Sequence, residues 1–335
     1  MNRRLFLFSP LLLIGCNVLN AQDFPNLQTA LNAAAGGKLQ IPHGTYSINS
    51  ALVIPSNITI GTDGPVIISS SANAPILDLT GKSNVRIEGH LILQGNGAAY
   101  NGYPSSQVVD NGQIGIKISG ADQIFIDRLE IRNIAGSGID YQLSPAWQSV
   151  VQIRDFCIHD CYKGVHCWNT GEYAQFSGGN INNCLFGYHV ESGNNSFDSC
   201  KAVYCSIGVK LSGGANNAHG IFSGFISDHN TYNLVCQDIT LGETFSGCHF
   251  IGGQAGADQG CIQILNSKGI SFSGGQMAYS DLNIDATSQV GMRDITLRGP
   301  VNVTYATGAL FDAKNQIVIP GAALILNGSA WGGNN

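Results

Sequence analysis

Charge is scarce in this chain. Lysine, arginine, aspartate and glutamate together make up 11% of its 335 residues, too few to coat the polar faces of many surface helices. No basic run follows the first few residues and the formal net charge is −6, which argues against a nucleic-acid partner. What is abundant is glycine, with 43 residues, in a chain that is 44% hydrophobic. That combination predicts many short strands and tight turns. The length allows two ordinary domains, or one solenoid.

The first residues read as an export signal rather than as part of the fold. "MNRRLFLFSPLLLIGCNVLNAQ" (1–22) has a basic start at Arg3 and Arg4, then an apolar run broken by Pro10 and too short to span a bilayer comfortably. "NRRLFLF" resembles a twin-arginine signal, and "LIGC" resembles a lipobox in which Cys16 would be acylated. Cleavage after Ala21 is the other reading, although Leu19 suits it poorly. The expected location is therefore exported: periplasmic, secreted, or held on a bacterial envelope by a lipid at Cys16. Residues 23–335 are expected to form one domain, with 300–335 as a C-terminal coil or tail.

A repeat organises the middle of the chain. Glycine followed by apolar, any, apolar occurs as "GIKI" from 115, "GIDY" from 138, "GVHC" from 164, "GYHV" from 187 and "GVKL" from 208. It continues, looser, as "NLVC" from 233 and "GCIQI" from 260, so successive steps are 23, 26, 23, 21, 25 and 27 residues. A second short strand precedes most of these units, as in "RLEIRNI", "DFCIHDC", "GNINNC" and "GFISDHN". Short strands at this period predict an all-β chain wound as a single-stranded right-handed parallel β-helix, with coils stacked about 4.8 Å apart. The L-x-x-L-x-L pattern of leucine-rich repeats is absent, and a β-sandwich would not hold the spacing. Ahead of the strands, "FPNLQTALNAAAGG" (24–37) places Leu27, Ala30, Leu31 and Ala34 on one helical face, a short helix suited to capping the open first coil.

The register accounts for most of the cysteines. Of ten, Cys16 lies in the export segment, so nine remain and at least one cannot pair within the molecule. Cys161, Cys184 and Cys205 each stand three residues before a repeat glycine, and Cys167 and Cys236 take its second inward position. A ladder of free buried thiols is expected, with bridges between adjacent coils as the alternative. The cluster "CIHDCYKGVHC" (157–167) does not read as a metal site. Cys161 and Cys167 point inward while His166 points outward, so their ligand atoms diverge. Cys157 has no assigned partner, and no metal site is predicted.

Helix, "LQIPHGTY", "ALVIPSNITIGTDG" and "NVRIEGHLILQGNG" (84–97), in that order, resemble the opening of pectate-lyase-like right-handed β-helix proteins, among them pectate lyases, polygalacturonases and phage tailspike depolymerases. The resemblance runs from about residue 23 to 300, and it implies a polysaccharide-binding groove along one face. It does not carry a catalytic motif. Where polygalacturonases have Asn-Thr-Asp this chain has "AGSGID" (135–140), the following coil reads "YKGVH" instead of an aspartate pair, "AHG" (218–220) is a fragment of Gly-His-Gly, and Arg-Ile-Lys is missing. An acidic calcium cluster of the pectate-lyase type is missing as well. Calcium follows only from the resemblance, no cofactor is required by the residues, and trimerisation, common among tailspikes, has no signature here.

Residues between two inward ones face outward. The outward position of the glycine strand reads Lys117, Asp140, His166, His189, Lys210, then Val235 and Gln263, and two residues further on come Gln142, Trp168, Glu191, Ser212 and Gln237. The bland alternative is a solvated polar face. Histidines and an exposed tryptophan favour a site, since imidazole titrates near working pH and indole offers a flat surface to a sugar ring. Asp140, His166, His189 and Lys210 are the catalytic candidates; Lys117, Trp168 and Glu191 are the substrate-binding ones.

In a lyase acting on a uronic-acid polymer, His166 or His189 would be the base, with Asp140 orienting a histidine and Lys117 or Lys210 neutralising the carboxylate. In a hydrolase, Asp140 and Glu191 would be the two carboxylates, their backbones roughly 12 Å apart across two coils, closing at best to the inverting range. The competing class is a non-catalytic carbohydrate-binding or cell-surface structural protein. Other polar groups read as structural. Asp127-Arg128 and Arg154-Asp155 form crossed charges between coils, His159 lies on a different strand from the glycine ladder, and the histidines at 90, 219, 229 and 249 have no consistent counterpart from coil to coil.

Overall fold

The computed structural model describes residues 18–97, 110–143, 150–214, 218–253, 260–318 and 323–327. They form a right-handed parallel β-helix of about 12 turns. One face is a parallel sheet of 12 strands, which includes Ile114–Ser119, Ser137–Leu143, Lys163–Thr170, Phe186–Val190, Ile207–Ser212 and Tyr232–Gln237. The remaining strands make two further faces. In most coils these are separated by one residue in the left-handed region, at Arg128, Asp155, Gly178, Ser199, Gly224, Gly247 and Gly274. A second left-handed corner, at Asn133, Asp160, Asn183, Tyr204 and His229, turns the chain toward the 12-stranded face. Corners that demand positive φ favour glycine and asparagine, and Gly178, Gly224, Gly247, Gly274, Asn133 and Asn183 fill half of those named.

The repeat glycine has a steric cause. A Cβ on Gly164 would lie 2.6 Å from Ile181 Cγ2 and 2.6 Å from the carbonyl oxygen of Gly187. Each such glycine lets a side chain from the preceding strand of a neighbouring coil close the corner. The interior then fills in ladders. Phe176, Phe197, Phe222, Phe245 and Phe272 stand in register, with ring centroids 5.2, 4.5, 5.1 and 5.2 Å apart in turn. Cys184 contacts both Cys161 and Cys205 in the interior, and all nine described cysteines are free. Cys16 lies outside the described residues.

The helix Leu27–Ala33 covers the first coil, burying Leu27, Ala30 and Leu31. Ahead of it, Val18–Asn20 adds a strand that sequence reading assigned to the export segment. It pairs with Lys38–Gln40, and Ala21 is buried behind it. The expected crossed charges do not form. Asp127 aligns with Arg154, yet Arg128 pairs with its own neighbour Asp127 at 3.7 Å and Arg154 bonds Gln152 at 2.6 Å. Arg128 and Asp155 occupy the left-handed corner, where strand alternation breaks. Among the described residues, no helix is long and apolar enough to cross a membrane.

Candidate functional site

The 12-stranded face sets Lys117, Asp140, His166, His189 and Lys210 side by side in one row, and Val235 and Gln263 continue it. The row is not evenly exposed. His166 is 1% exposed and Asp140 3%, because a second tier of side chains lies over them. Trp168, 40% exposed, donates its indole N–H to both oxygens of Asp140 at 3.1 Å. Its ring lies against His166, with centroids 4.4 Å apart. His189 stacks on the other side of His166, 4.7 Å between centroids and 5° from parallel. Phe186 continues the stack at 5.4 Å.

His166 is the centre of the cluster. Its Nδ1 lies 3.5 Å from Asp140 Oδ2 and 3.3 Å from Lys163 Nζ. Its Nε2 lies 3.3 Å from Glu191 Oε1, and the same oxygen is 3.4 Å from His189 Nε2. His189 Nε2 is also 3.4 Å from Ser212 Oγ, whereas its Nδ1 is buried without a hydrogen-bond partner. Lys210 Nζ donates to Gln237 Oε1 at 2.6 Å.

Electrostatics follow from this packing. Burial alone would raise the pKa of Asp140, but hydrogen bonds from His166 and Trp168 outweigh it and hold the carboxyl below its ordinary value. The bond with His166 lowers Glu191 likewise, against the opposing effect of burial. Burial, then the positive fields of His166 and Lys163, depress His189 despite Glu191 beside it. Burial also lowers Lys210, against Cys236 and Asp238.

These positions narrow the roles. His166 is too deeply covered to touch a polymer, while the side chains of His189 and Glu191 are 15% and 24% exposed. Asp140 and Glu191 contact opposite nitrogens of one imidazole, so the space between the two carboxylates is filled by His166. Sequence reading missed Lys163, which sits on the same strand as His166. The signal lay in "YKGVH", where the lysine starts the strand three residues before the ladder histidine. His159, read as unconnected with the row, bonds Asp160 at 2.6 Å on another strand. His166, His189 and Glu191 together offer three metal-ligating atoms within 4.8 Å of one another.

The sequence matches no protein-family model and no curated protein. Solved structures do match. The A-module of a mannuronan C-5 epimerase from Azotobacter vinelandii aligns over 93% of this chain and 99% of its own, at 14% identity and a TM-score of 0.53. The fold is that of the pectate-lyase-like β-helix proteins. The catalytic domain of an α-1,3-glucanase, solved with nigerose, aligns with this β-helix over 92% of the chain and 68% of its own, at 9% identity and a TM-score of 0.51.

Proposed function

We propose that the protein acts on an acidic extracellular polysaccharide lying along the row from Lys117 to Lys210, by lyase-type elimination beside a uronate carboxylate. The observation that carries this reading is the cluster itself. An exposed indole roofs a buried histidine held between two carboxylates, with a lysine in register on each side. A merely solvated face would not bury two ionisable groups nearly completely. Lys117 and Lys210 stand four coils apart, roughly 19 Å, a span that suits several sugar units with Trp168 stacking on one of them.

In this reading Lys210 is the base. It removes the proton beside the carboxylate, the C–H electron pair becomes the new double bond, and the C–O bond at the neighbouring carbon breaks, its pair leaving on the oxygen, which takes a proton from water. Burial makes its neutral amine more accessible than that of a free lysine. Both nitrogens of His166 and Nε2 of His189 face partners within the cluster, and His189 Nδ1 is buried, which favours Lys210 over either histidine. Hydrolysis is the weaker reading, since water has no room between Asp140 and Glu191. The mannuronan enzyme among the solved structures supports an acidic glycan. Export, with or without a lipid at Cys16, belongs to the same proposal because the substrate lies outside the cell.

The test is a panel of uronate polymers, followed by ultraviolet absorbance of unsaturated products and by reducing ends. Lys210→Ala is expected to lower elimination at least 100-fold while glycan retention and thermal stability persist. Activity should rise with pH and level off below the ordinary lysine range, because the base works unprotonated. Silence across the panel, with glycan still retained, would leave a binding protein in place of an enzyme.

A further inference from the structure

A site for a uronate raises a difficulty that the geometry itself resolves. The carboxylates of Glu191 and Asp140 flank His166, 3.3 Å from its Nε2 and 3.5 Å from its Nδ1. An incoming carboxylate would meet these two negative charges, with Lys163 turned toward the far nitrogen of His166. Something cationic between Glu191 and the sugar would remove the conflict.

We infer that His166 Nε2, His189 Nε2 and Glu191 Oε1 form a binding site for a divalent ion of the zinc class, with a fourth position open toward the polymer.

The distances favour this over a plain hydrogen-bond network. A charge-assisted N–H···O bond to a carboxylate closes to about 2.7–2.9 Å. Both imidazole nitrogens instead stop at 3.3 and 3.4 Å from the same oxygen. Ligands about 2.0–2.1 Å from a tetrahedral ion stand roughly 3.3–3.4 Å from one another, which matches the two nitrogen–oxygen spacings, and all three ligand atoms lie within 4.8 Å of one another. Two imidazoles and one carboxylate are also a ligand set that leaves a catalytic zinc its fourth position.

The surroundings supply what such ligands need. Asp140 Oδ2 stands 3.5 Å from Nδ1 of His166, beside Lys163 Nζ at 3.3 Å, so a carboxylate is placed behind the ligating histidine, where closing on it would orient the ring and make it a better donor. Trp168 in turn fixes Asp140. The side-chain exposure of Glu191 and His189 leaves a path from solvent. Coordination asks one movement of the site. The rings are now 5° from parallel, and they must incline toward Glu191 so that both lone pairs converge. Sequence reading looked for metal within 157–167 and rejected it, because only His166 of that segment faces the site; the other two ligands come from the next coil.

Only the nature of the fourth ligand rests on the acidic-glycan reading; the three protein ligands do not. The full chain, stripped with a chelator and titrated with zinc in the absence of glycan, should bind one equivalent by calorimetry. Cobalt(II) in its place should show the visible absorption of tetrahedral coordination. Glu191→Gln and His189→Gln should each weaken binding at least 100-fold with the circular dichroism unchanged. Asp140→Asn should weaken it about 10–100-fold. Absence of a bound equivalent, or binding that survives both Glu191→Gln and His189→Gln, overturns the site; the second result would place the ion on thiols. Zinc bound as described with no uronate polymer processed supports the metal site and removes the elimination reading instead.

Discussion

Glu243 shows how one residue outside the row from Lys117 to Lys210 can set a pH dependence. Its side chain is buried, and Oε1 accepts the Thr244 N–H at 2.9 Å. Burial pushes its pKa up to about 8, with that hydrogen bond opposing. The folded state therefore keeps a proton that the unfolded chain has released. Stability should fall as pH rises from the ordinary glutamate range to about 8, by roughly 1.4 kcal/mol per pH unit for one proton. Denaturant unfolding across that window is expected to show Glu243→Gln losing less stability than the parent. Parallel curves would mean that Glu243 does not titrate this way. The row from Lys117 to Lys210 was legible because alternation along a strand separates inward from outward positions. The cover over His166 was not. It comes from Trp168 two residues further along and His189 one coil on, and alternation says nothing about which outward side chains lie over others.

At the scale of the element, the coil corner leaves no room for a side chain at the repeat glycine. Gly164→Ala places a methyl group against Ile181 and the Gly187 carbonyl, and a clash in a packed corner costs about 1–3 kcal/mol. Gly291 has nothing within 4 Å of a Cβ, so Gly291→Ala should stay within about 0.5 kcal/mol of the parent. Thermal unfolding of the two variants checks the contrast. Equal effects would mean that the recurring glycine is not a packing requirement. The period of this glycine was visible in the sequence, as was that of the thiol ladder. The phenylalanine ladder carried the same period and was passed over, since Phe176 to Phe272 lie on a face other than the one the glycines mark. Crossed charges at 127–128 and 154–155 failed for a related reason. A left-handed corner interrupts the strand, so aligned sequence positions need not have facing side chains.

For the molecule as a whole, the open end of a solenoid is the exposed edge that needs cover. The helix Leu27–Ala33 supplies part of it and Val18–Asn20 supplies a further strand. Processing after Ala21 would remove that strand, whereas processing before Cys16 would retain it. If the chain is exported as proposed, we therefore expect the mature protein to begin at Cys16, as intact-mass measurement would reveal. A mature chain starting at Gln22, still folded and monomeric, would show the strand to be dispensable.

The sequence by itself determined the winding of the chain. Glycine at a period of 21 to 27 residues, apolar alternation and few charges admit a parallel β-helix and little else, because each is a local requirement repeated coil after coil. The tertiary structure alone decided which rungs of the outward row became a cluster. Glu191 lies 25 residues from His166, and its carboxylate meets both histidines only once two coils stack and the side chains choose rotamers across them. Register brings the backbones together; packing above the sheet selects the chemistry.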